Sequence, residues 1–205
     1  MASRILFITG TDTGVGKTVF AVLITRHLRE RGWHIAALKP ICSGGRDDAR
    51  LLRNAAGRVL PLDEVNPWHF RAPLAPVLAA RKEKKRVRLR EVVAHIRPVA
   101  KQFDVVVVEG AGGLLSPLGE DFDSRDLIEA LGATPIIVCP NKLGAVNQVR
   151  LTVSALPRAA ARQAGIVLVN AARPDAASRT NVELLKEFVD GNRVRILPWL
   201  GGKKR

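Results

Sequence analysis

The chain has 205 residues, of which 47% are hydrophobic and 25% are charged. This composition is typical of a globular protein, and we expect a single domain over residues 1–205 with one sizeable core. No apolar run approaches the ~20 residues that span a bilayer, and two distant cysteines imply neither a disulfide framework nor a zinc site. The first residues also lack the pattern of a secretory signal. We therefore expect a cytoplasmic protein without a membrane partner.

The formal net charge is +14, from 33 basic and 19 acidic residues, and such a charge raises the question of nucleic-acid or acidic-membrane binding. The densest basic runs are Arg81–Arg90 and Gly202–Arg205. Because no aromatic residue interrupts the first run, it does not favour a surface that stacks bases. We expect a solvated connection and a frayed tail, and no specific nucleic-acid partner.

The first apolar run, Ile5–Ile8, is predicted to form a strand, and a glycine-rich turn follows it. The turn delivers Gly16-Lys17-Thr18 into an amphipathic helix that continues to about Arg31. Backbone N–H groups at such a helix start bind phosphate oxygens. A lysine there contacts the β- and γ-phosphates, and a threonine hydroxyl coordinates Mg²⁺. This pattern predicts binding of ATP or GTP.

The turn departs from the general phosphate-binding spacing in one respect. The pattern G-x-x-x-x-G-K-S/T would begin at Thr11, whereas the glycine of this chain is Gly10. The alternative interpretation is an ordinary glycine-rich turn between a strand and a helix, with a solvated lysine. The arrangement of the rest of the chain argues against that alternative.

Apolar strands and amphipathic helices alternate along the remaining sequence. Further strands are predicted at His34–Leu38, Val105–Val108, Pro135–Cys139, Ile166–Val169 and Val194–Leu197. Helices are predicted at about Asp47–Ala56, Leu89–Ile96, Val146–Leu156 and Asn181–Val189, while residues 60–80 are expected to form a loop with one short helix. This order predicts an α/β, three-layer, P-loop NTPase-like fold with a mostly parallel sheet and helices on both faces.

Polar or glycine-rich segments follow the carboxyl ends of the predicted strands. They are Lys39–Gly44, Glu109–Gly113, Asn141–Asn147, Asn170 and Pro198–Leu200. Ligands bind at the carboxyl ends of strands in open parallel sheets. We therefore expect these segments and the phosphate-binding turn to converge on one cleft.

Three oxygen-bearing side chains are candidate magnesium ligands. Glu109 follows four valines, Asp48 opens a predicted helix, and Thr18 ends the phosphate-binding turn. With phosphate and water they would complete octahedral Mg²⁺. Alone, Glu109 could be a solvated residue and Asp48 an aspartate favoured by the helix dipole, and Asp47 competes with Asp48 for the role.

Two further strand ends suggest contacts to a reacting anion. Beside a bound γ-phosphate, Lys39 would stabilise charge that develops in phosphoryl transfer, although single lysines at strand ends mostly face solvent. Ser43 could form a hydrogen bond with a polar substrate. The glycines at positions 110, 112 and 113 would allow close approach of the backbone to a ligand, or would simply form a tight turn.

These motifs, taken together and in order, resemble the dethiobiotin synthetase family. The matching segments are Gly10-Thr-Asp-Thr-Gly-Val-Gly-Lys-Thr18, Lys39-Pro-x-x-Ser-Gly44, Asn66-Pro, Val108-Glu-Gly-Ala-Gly-Gly113, Lys142-Leu-Gly144, Asn147 and Pro198-Trp-Leu200. The resemblance implies an ATP-dependent ligase of biotin synthesis. Its substrates would be 7,8-diaminononanoate and CO₂ or bicarbonate, and a phosphorylated carbamate would lead to the closed ureido ring with release of ADP and phosphate.

The resemblance also implies roles for individual residues. Binding of ATP is implied for Gly14, Val15, Gly16, Lys17, Thr18, Val19, Asp48, Glu109, Gly110, Ala111, Gly112, Asn170, Ala171, Pro198, Trp199 and Leu200. Mg²⁺ would be held by Thr18, Asp48 and Glu109. Lys17 and Lys39 would be the catalytic residues, because they would stabilise the carbamate and the transferring phosphoryl group.

The family further implies a homodimer with substrate at the subunit interface. Thr13 and Ser43 would contact the substrate. Leu143, Gly144 and Asn147 of the partner subunit, at a helix N-terminus, would receive the substrate carboxylate, as the helix dipole favours.

Two other protein classes share parts of the pattern. A partition- or septum-type ATPase would carry a signature lysine early in the phosphate-binding turn, where this chain has Asp12. An amidating or cobyrinate-type synthetase would need an additional glutaminase domain, for which we expect no room in 205 residues.

Overall fold

The computed structural model describes residues 4–201, and a six-stranded parallel sheet forms its centre. The strands are β1 (Arg4–Gly10), β2 (Ile35–Leu38), β3 (Ile41–Ser43), β4 (Trp68–Phe70), β5 (Val105–Glu109), β6 (Thr134–Pro140), β7 (Gly165–Val169) and β8 (Val194–Leu197). The central sheet has the order β2-β5-β1-β6-β7-β8, and β3 pairs with β4 in a separate two-stranded parallel sheet. The carboxyl ends of all six central strands therefore lie at one edge.

Helices cover both faces of the central sheet. They are α1 (Lys17–Glu30), α2 (Asp47–Ala55), α3 (Leu62–Val65), α4 (Pro76–Lys82), α5 (Leu89–Ala100), α6 (Ser124–Leu131), α7 (Ala145–Ala155), α8 (Arg158–Gln163) and α9 (Asn181–Lys186). On one face, α1 and α2 pack against Ile8 and Val107. On the other face, α5 and α6 pack against Phe7 and Val106, and α7 and α9 pack against Leu168. The predicted three-layer α/β fold is confirmed.

The valine run of β5 determines where its terminal acid points. All five residues of β5 are buried, and successive valines face opposite sides of the sheet. Val105 and Val107 pack in the core beneath α1 and α2. Glu109 has the same parity, and it is the register partner of Ile8 on β1. The alternation therefore directs the carboxylate of Glu109 towards the face that carries α1.

The prediction for residues 60–80 was wrong. This segment contains α3, β4 and the start of α4 instead of a loop with one short helix. Pro61 is the N-cap of α3 and Pro76 is the first residue of α4. Both prolines stand at helix starts, and Pro76 fits there because a residue at the first helical position needs no N–H partner.

Helices α6 and α8 were not predicted from the sequence. α6 has local signals at both ends: the side chains of Asp123 and Asp126 form a capping box, and Gly132 ends the helix with φ 61°. Its eight residues give too few turns for a clear apolar period. α8 is shorter still and follows Pro157, which is its N-cap.

The basic run Arg81–Arg90 comprises the last two residues of α4, the connection to α5 and the first two residues of α5, so only its middle part is the connection that we expected. Within it, Val87 is buried, and Arg81 forms two hydrogen bonds with the carboxylate of Glu120, at 3.1 and 2.8 Å. The second basic run, Gly202–Arg205, lies outside the described residues. In residues 4–201, no helix has the length and apolar character needed to cross a membrane.

Candidate active site

The loop between β1 and α1 has the backbone of a phosphate-binding turn. Gly14 and Gly16 have φ values of 71° and 98°, which disfavour residues with a side chain. Gly16 is the N-cap of α1. A Cβ atom at Gly10 would lie 2.7 Å from a methyl group of Val15 and 3.1 Å from the carbonyl oxygen of Asp12. The fold of the loop therefore explains why the glycine occupies position 10.

Lys17 is buried inside this loop. Lys17 is only 6% exposed, and its Nζ donates a hydrogen bond to the carbonyl oxygen of Asp12 at 2.6 Å. Burial and, to a smaller extent, the nearby charge of Lys39 together lower the pKa of Lys17 to about 8. The loop thus holds a lysine whose ammonium form is destabilised by burial and would be stabilised by a bound anion.

Glu109 joins the phosphate-binding loop to the end of β2. Its Oε1 accepts a hydrogen bond from the Thr18 hydroxyl at 2.8 Å and another from Lys39 Nζ at 2.7 Å. Lys39 Nζ also donates to the carbonyl oxygen of Gly110 at 2.9 Å. Glu109 and Lys39 are both buried. Three segments that are distant in sequence therefore meet at one carboxylate.

The start of α2 turns two neighbouring aspartates in different directions. Asp48 Oδ2 lies 3.7 Å from Lys39 Nζ, and its side chain is half-exposed. Asp47 instead accepts a hydrogen bond from Arg50 at 2.8 Å, and 83% of its side chain is exposed. Asp48 therefore belongs to the cluster of Thr18, Lys39 and Glu109, and Asp47 faces solvent.

The oxygen donors of this cluster fit a magnesium ion. Glu109 Oε2 is buried and has no hydrogen-bond partner among residues 4–201, an arrangement that is costly without a cation. The part of the chain that the structure describes contains no group of three or more His, Cys, Asp or Glu side chains placed to hold a metal. Two carboxylates and a hydroxyl would leave the other positions to phosphate and water, as is usual for Mg²⁺.

A cleft of about 460 Å³ opens beside the phosphate-binding loop. Its lining consists of Gly14, Val15, Gly16, Val19, Pro140, Val169, Asn170, Ala171, Leu197, Pro198, Trp199, Leu200 and Gly201. Val19, Trp199 and Leu200 are each about half exposed to solvent. An apolar cleft with a few polar groups is suited to a flat heteroaromatic ligand. The structure thus brings together nine residues for which the resemblance implied ATP binding.

A second cleft, of about 510 Å³, lies beyond the other end of the loop. It is lined by Thr11, Asp12, Gly113, Leu114, Leu115, Ser116, Pro117, Leu151, Thr152 and Ala155. Leu115 and Leu151 are more than half exposed. The phosphate-binding loop therefore contributes residues to two clefts, one mainly apolar and one of mixed character.

The candidate substrate residues lie on three separate segments, and none of them lines either cleft. Thr13 is exposed on the phosphate-binding loop. The Ser43 hydroxyl donates a hydrogen bond to the carbonyl oxygen of Leu74 at 2.5 Å, so its proton is already engaged. Leu143, Gly144 and Asn147 are exposed at the start of α7 and line neither cleft.

The sequence interpretation missed Asp175, whose carboxylate contacts the backbone just before α7. Asp175 Oδ2 accepts a hydrogen bond from the N–H of Leu143 at 2.8 Å, and its Oδ1 accepts one from Ser178 N–H. These bonds lower the pKa of the Asp175 carboxyl. A carboxylate of the chain itself therefore occupies one of the N–H groups that the resemblance assigns to substrate. An Asp three residues before a serine is a common turn pattern, but it does not specify the distant Leu143.

Solved structures with low sequence identity share the fold. A ParA family ATPase from Chlorobium tepidum TLS superposes with a TM-score of 0.59 at 15% identity, covering 97% of this chain and 84% of that one. The hydrogenase maturation factor HypB from Archaeoglobus fulgidus gives a TM-score of 0.55 at 14% identity, covering 96% and 82%. These similarities establish a P-loop NTPase-like fold.

Sequence relatives are more specific. A family model described as an AAA domain matches residues 4–202. The ATP-dependent dethiobiotin synthetase BioD of Anaeromyxobacter dehalogenans (strain 2CP-C) is 43% identical over 96% of this chain and 90% of its own length. The proteins of that name from Bacillus subtilis (strain 168) and Methanococcus vannielii are 35% and 34% identical over 90% and 80% of this chain, and over 83% and 77% of their own lengths. The chain belongs to the dethiobiotin synthetase family.

Proposed function

We propose that this protein is an ATP-dependent dethiobiotin synthetase that uses 7,8-diaminononanoate, CO₂ and ATP and releases dethiobiotin, ADP and phosphate. Family membership supports the reaction. The observation that carries the proposal is the convergence of Thr18, Lys39 and Glu109, which are joined by hydrogen bonds of 2.8 and 2.7 Å next to the phosphate-binding loop. The two buried lysines, Lys17 and Lys39, suit a reaction between anions.

ATP would bind across the phosphate-binding loop. The N–H groups of Gly14–Val19 and the α1 dipole would hold its phosphates, and Gly110–Gly112 would lie alongside them. The base would occupy the apolar cleft, against Asn170, Ala171 and Pro198–Leu200. This assignment is supported by the continuity of the cleft lining from Gly14 to Leu200.

Thr18, Asp48 and Glu109 would hold Mg²⁺, and the exposed, Arg50-paired position of Asp47 argues against Asp47 as a ligand. Bound Mg²⁺ supplies neutralisation of the triphosphate charge. The Thr18 hydroxyl now donates to Glu109 at 2.8 Å, so its oxygen lone pairs are available to a cation. Binding of Mg²⁺ would also give Glu109 Oε2 the partner that it lacks among the described residues.

The two lysines would act on the reacting groups. In the proposed sequence, one amine takes up CO₂ as a carbamate, and the γ-phosphoryl group of ATP passes to a carbamate oxygen. The second amine then attacks the carbonyl carbon and phosphate leaves. Lys39 would stabilise the carbamate from its buried position at the end of β2, while Lys17 would stabilise the transferring phosphoryl group.

The substrate would bind at the interface of a homodimer. Thr13 and Ser43 would contact it from one protomer, and its carboxylate would approach Leu143, Gly144 and Asn147 of the partner subunit. Support comes from the leucine surface, defined as Leu115, Leu143 and Leu151, which are 53%, 80% and 61% exposed. Leu115 and Leu151 line the second cleft, and exposed leucines suit a surface that a second copy covers.

Incubation of the protein with the diamine, ¹³C-bicarbonate and Mg-ATP tests the reaction. We expect a cyclised product that carries one ¹³C atom, detected by mass, and none when any one component is omitted. ATP hydrolysis that is stimulated by DNA or lipid and indifferent to the diamine would instead favour the partition-type ATPase.

A further inference from the structure

Three asparagine side chains form a hydrogen-bonded row beside the apolar cleft. Asn181 Nδ2 donates to Asn141 Oδ1 at 2.8 Å, and Asn141 Nδ2 donates to Asn170 Oδ1 at 2.8 Å. Asn141 and Asn181 are 2% and 5% exposed, whereas Asn170 lines the cleft. We call these three side chains the amide row. It runs from the start of α9 to the cleft wall.

Two backbone carbonyl groups determine the direction of every bond in the amide row. Asn181 Nδ2 also donates to the carbonyl oxygen of Lys142 at 3.0 Å, and Asn141 Nδ2 to that of Ser178 at 3.0 Å. A carbonyl oxygen can only accept, so the atoms that face them must be NH₂ groups. Rotation of either buried amide by 180° would place oxygen against oxygen. The O and N positions of Asn141 and Asn181 therefore follow from chemistry and need no assumption.

The same logic determines the orientation of Asn170. Because Asn141 presents its NH₂ group, the facing atom of Asn170 must be the acceptor Oδ1. The Nδ2 of Asn170 has no hydrogen-bond partner in the described chain, residues 4–201, and it remains available at the cleft. Backbone bonds from Asn141 to Val169 O at 2.8 Å and from Asn170 to Leu197 O at 2.9 Å hold the strand ends in place.

We propose that Asn141, supported by Asn181, is a positioning residue for base recognition: it holds the Asn170 amide so that Nδ2 donates to a ring nitrogen of the nucleotide base. The proposal rests on the proposed function, which puts the base in this cleft. Adenine offers such an acceptor beside its 6-amino group at N7 and again at N1. An asparagine amide pairs well with an edge of this kind, because the second lone pair of Oδ1 can accept from the amine.

Two variants test the direction of the amide row. Asn141→Asp removes the donor to Asn170, so that Asn170 must turn its Nδ2 inward and present oxygen to the base. Asn181→Asp acts one step further along the amide row: its carboxylate would face Asn141 Oδ1, and this repulsion opposes the orientation that Ser178 O favours, so we expect Asn141 to turn and offer its oxygen to Asn170. Asn192→Asp makes the same chemical change at an exposed site and is the matched control.

The measurement is the Kd of ATP, 7-deaza-ATP and 1-deaza-ATP by calorimetry in the presence of Mg²⁺. For the unmodified protein we expect one analogue to bind about 5- to 10-fold more weakly than ATP, as is usual for one lost hydrogen bond. In Asn141→Asp and Asn181→Asp, the affinity for ATP should fall to the affinity for that analogue. The Kd values of ATP and of the analogue should then differ by less than about twofold in each variant. At saturating ATP, kcat and the KM of the diamine should stay within about twofold, a pattern that a general loss of structure would not produce.

The proposal is overturned if both analogues bind the unmodified protein as tightly as ATP, a result that requires no variant to fold. It is also overturned if the two variants keep the ATP affinity and the analogue discrimination of the control. Circular dichroism checks that each variant folds. If only Asn181→Asp folds, its ATP affinity and analogue discrimination alone decide whether the proposal stands. Absence of cyclised product from the unmodified protein, with the calorimetric pattern intact, would reject the proposed reaction and leave the positioning role standing.

Discussion

Lys39 and Glu109 form an ion pair with an Nζ–Oε1 distance of 2.7 Å, although the two residues are only 4% and 1% exposed. Desolvation of two charges offsets most of the attraction between them, so a buried pair is weak evidence for a stabilising role. Oε2 of the same carboxylate has no partner in the described residues. A pair that stabilises little and leaves an oxygen unsatisfied is better explained by a function in binding.

The two neighbouring aspartates of α2 allow a matched test of the magnesium site. We expect Asp48→Asn to raise the Mg²⁺ concentration at half-maximal activity about 10-fold, because one hard oxygen ligand loses its charge. Asp47→Asn should leave the titration unchanged, since Asp47 pairs with Arg50 at the surface. Equal effects of the two substitutions on the Mg²⁺ titration would reject Asp48 as a ligand.

The two lysines should affect the kinetics differently. Lys39→Ala is expected to lower kcat about 100-fold or more with a smaller change in the Kd of ATP, because its charge acts mainly on the carbamate and the transition state. Lys17→Ala should remove turnover and weaken ATP binding as well. Steady-state rates and ATP calorimetry measure both effects. An unchanged kcat in Lys39→Ala would mean that Lys39 has no catalytic role.

Lys17 should make the stability of the ligand-free protein depend on pH. Its pKa is about 8 when folded, against 10.5 for the ordinary side chain. The unfolded chain therefore binds more protons between these values, and the Lys17 contribution to stability rises with pH across that window. Lys17→Met removes the cost of burying the charge.

The variant should therefore be more stable than the unmodified protein below pH 8, by on the order of 3 kcal/mol. The advantage should vanish towards pH 10.5. Urea denaturation at several pH values measures the difference. A stability difference that does not change between pH 7 and pH 10 would show that burial of Lys17 carries no such cost.

The leucine surface provides a test of the homodimer. We expect Leu151→Glu to shift the protein towards monomer in sedimentation velocity and to raise the KM of the diamine about 10-fold, because a charge would be buried at the interface. ATP affinity should be unaffected. Leu51→Glu on α2, at a residue 51% exposed, is the control and should do neither. A Leu151→Glu variant that sediments like the control would argue against this surface as the interface.

The sequence predicted the central sheet and the segments at its carboxyl edge because both depend on local patterns. Four consecutive β-branched valines favour a strand buried on both faces, and in that strand their alternation determines the direction of Glu109. The unusual position of Gly10 could be recognised only by its resemblance to the family. Its physical cause, the approach of Val15 to the backbone, required coordinates.

Other parts of the site depend on contacts between distant residues and could not be predicted. Helix periodicity does not decide whether Asp47 or Asp48 faces Lys39, because the two are neighbours at a helix start where phase is uncertain by one residue. The amide row joins residues 141, 170 and 181, which no spacing rule connects. The bond from Leu143 to Asp175 crosses from one strand end to the next loop, and nothing local to either residue specifies it.

The most direct test of the account is the ratio of phosphate released to dethiobiotin formed, measured with the purified protein under limiting diamine. If the clefts and the Thr18–Lys39–Glu109 cluster perform the proposed ring closure, the ratio is one, and phosphate release stops when the diamine is consumed. Continued phosphate release at an unchanged rate after the diamine is exhausted, or release without any dethiobiotin, would contradict it.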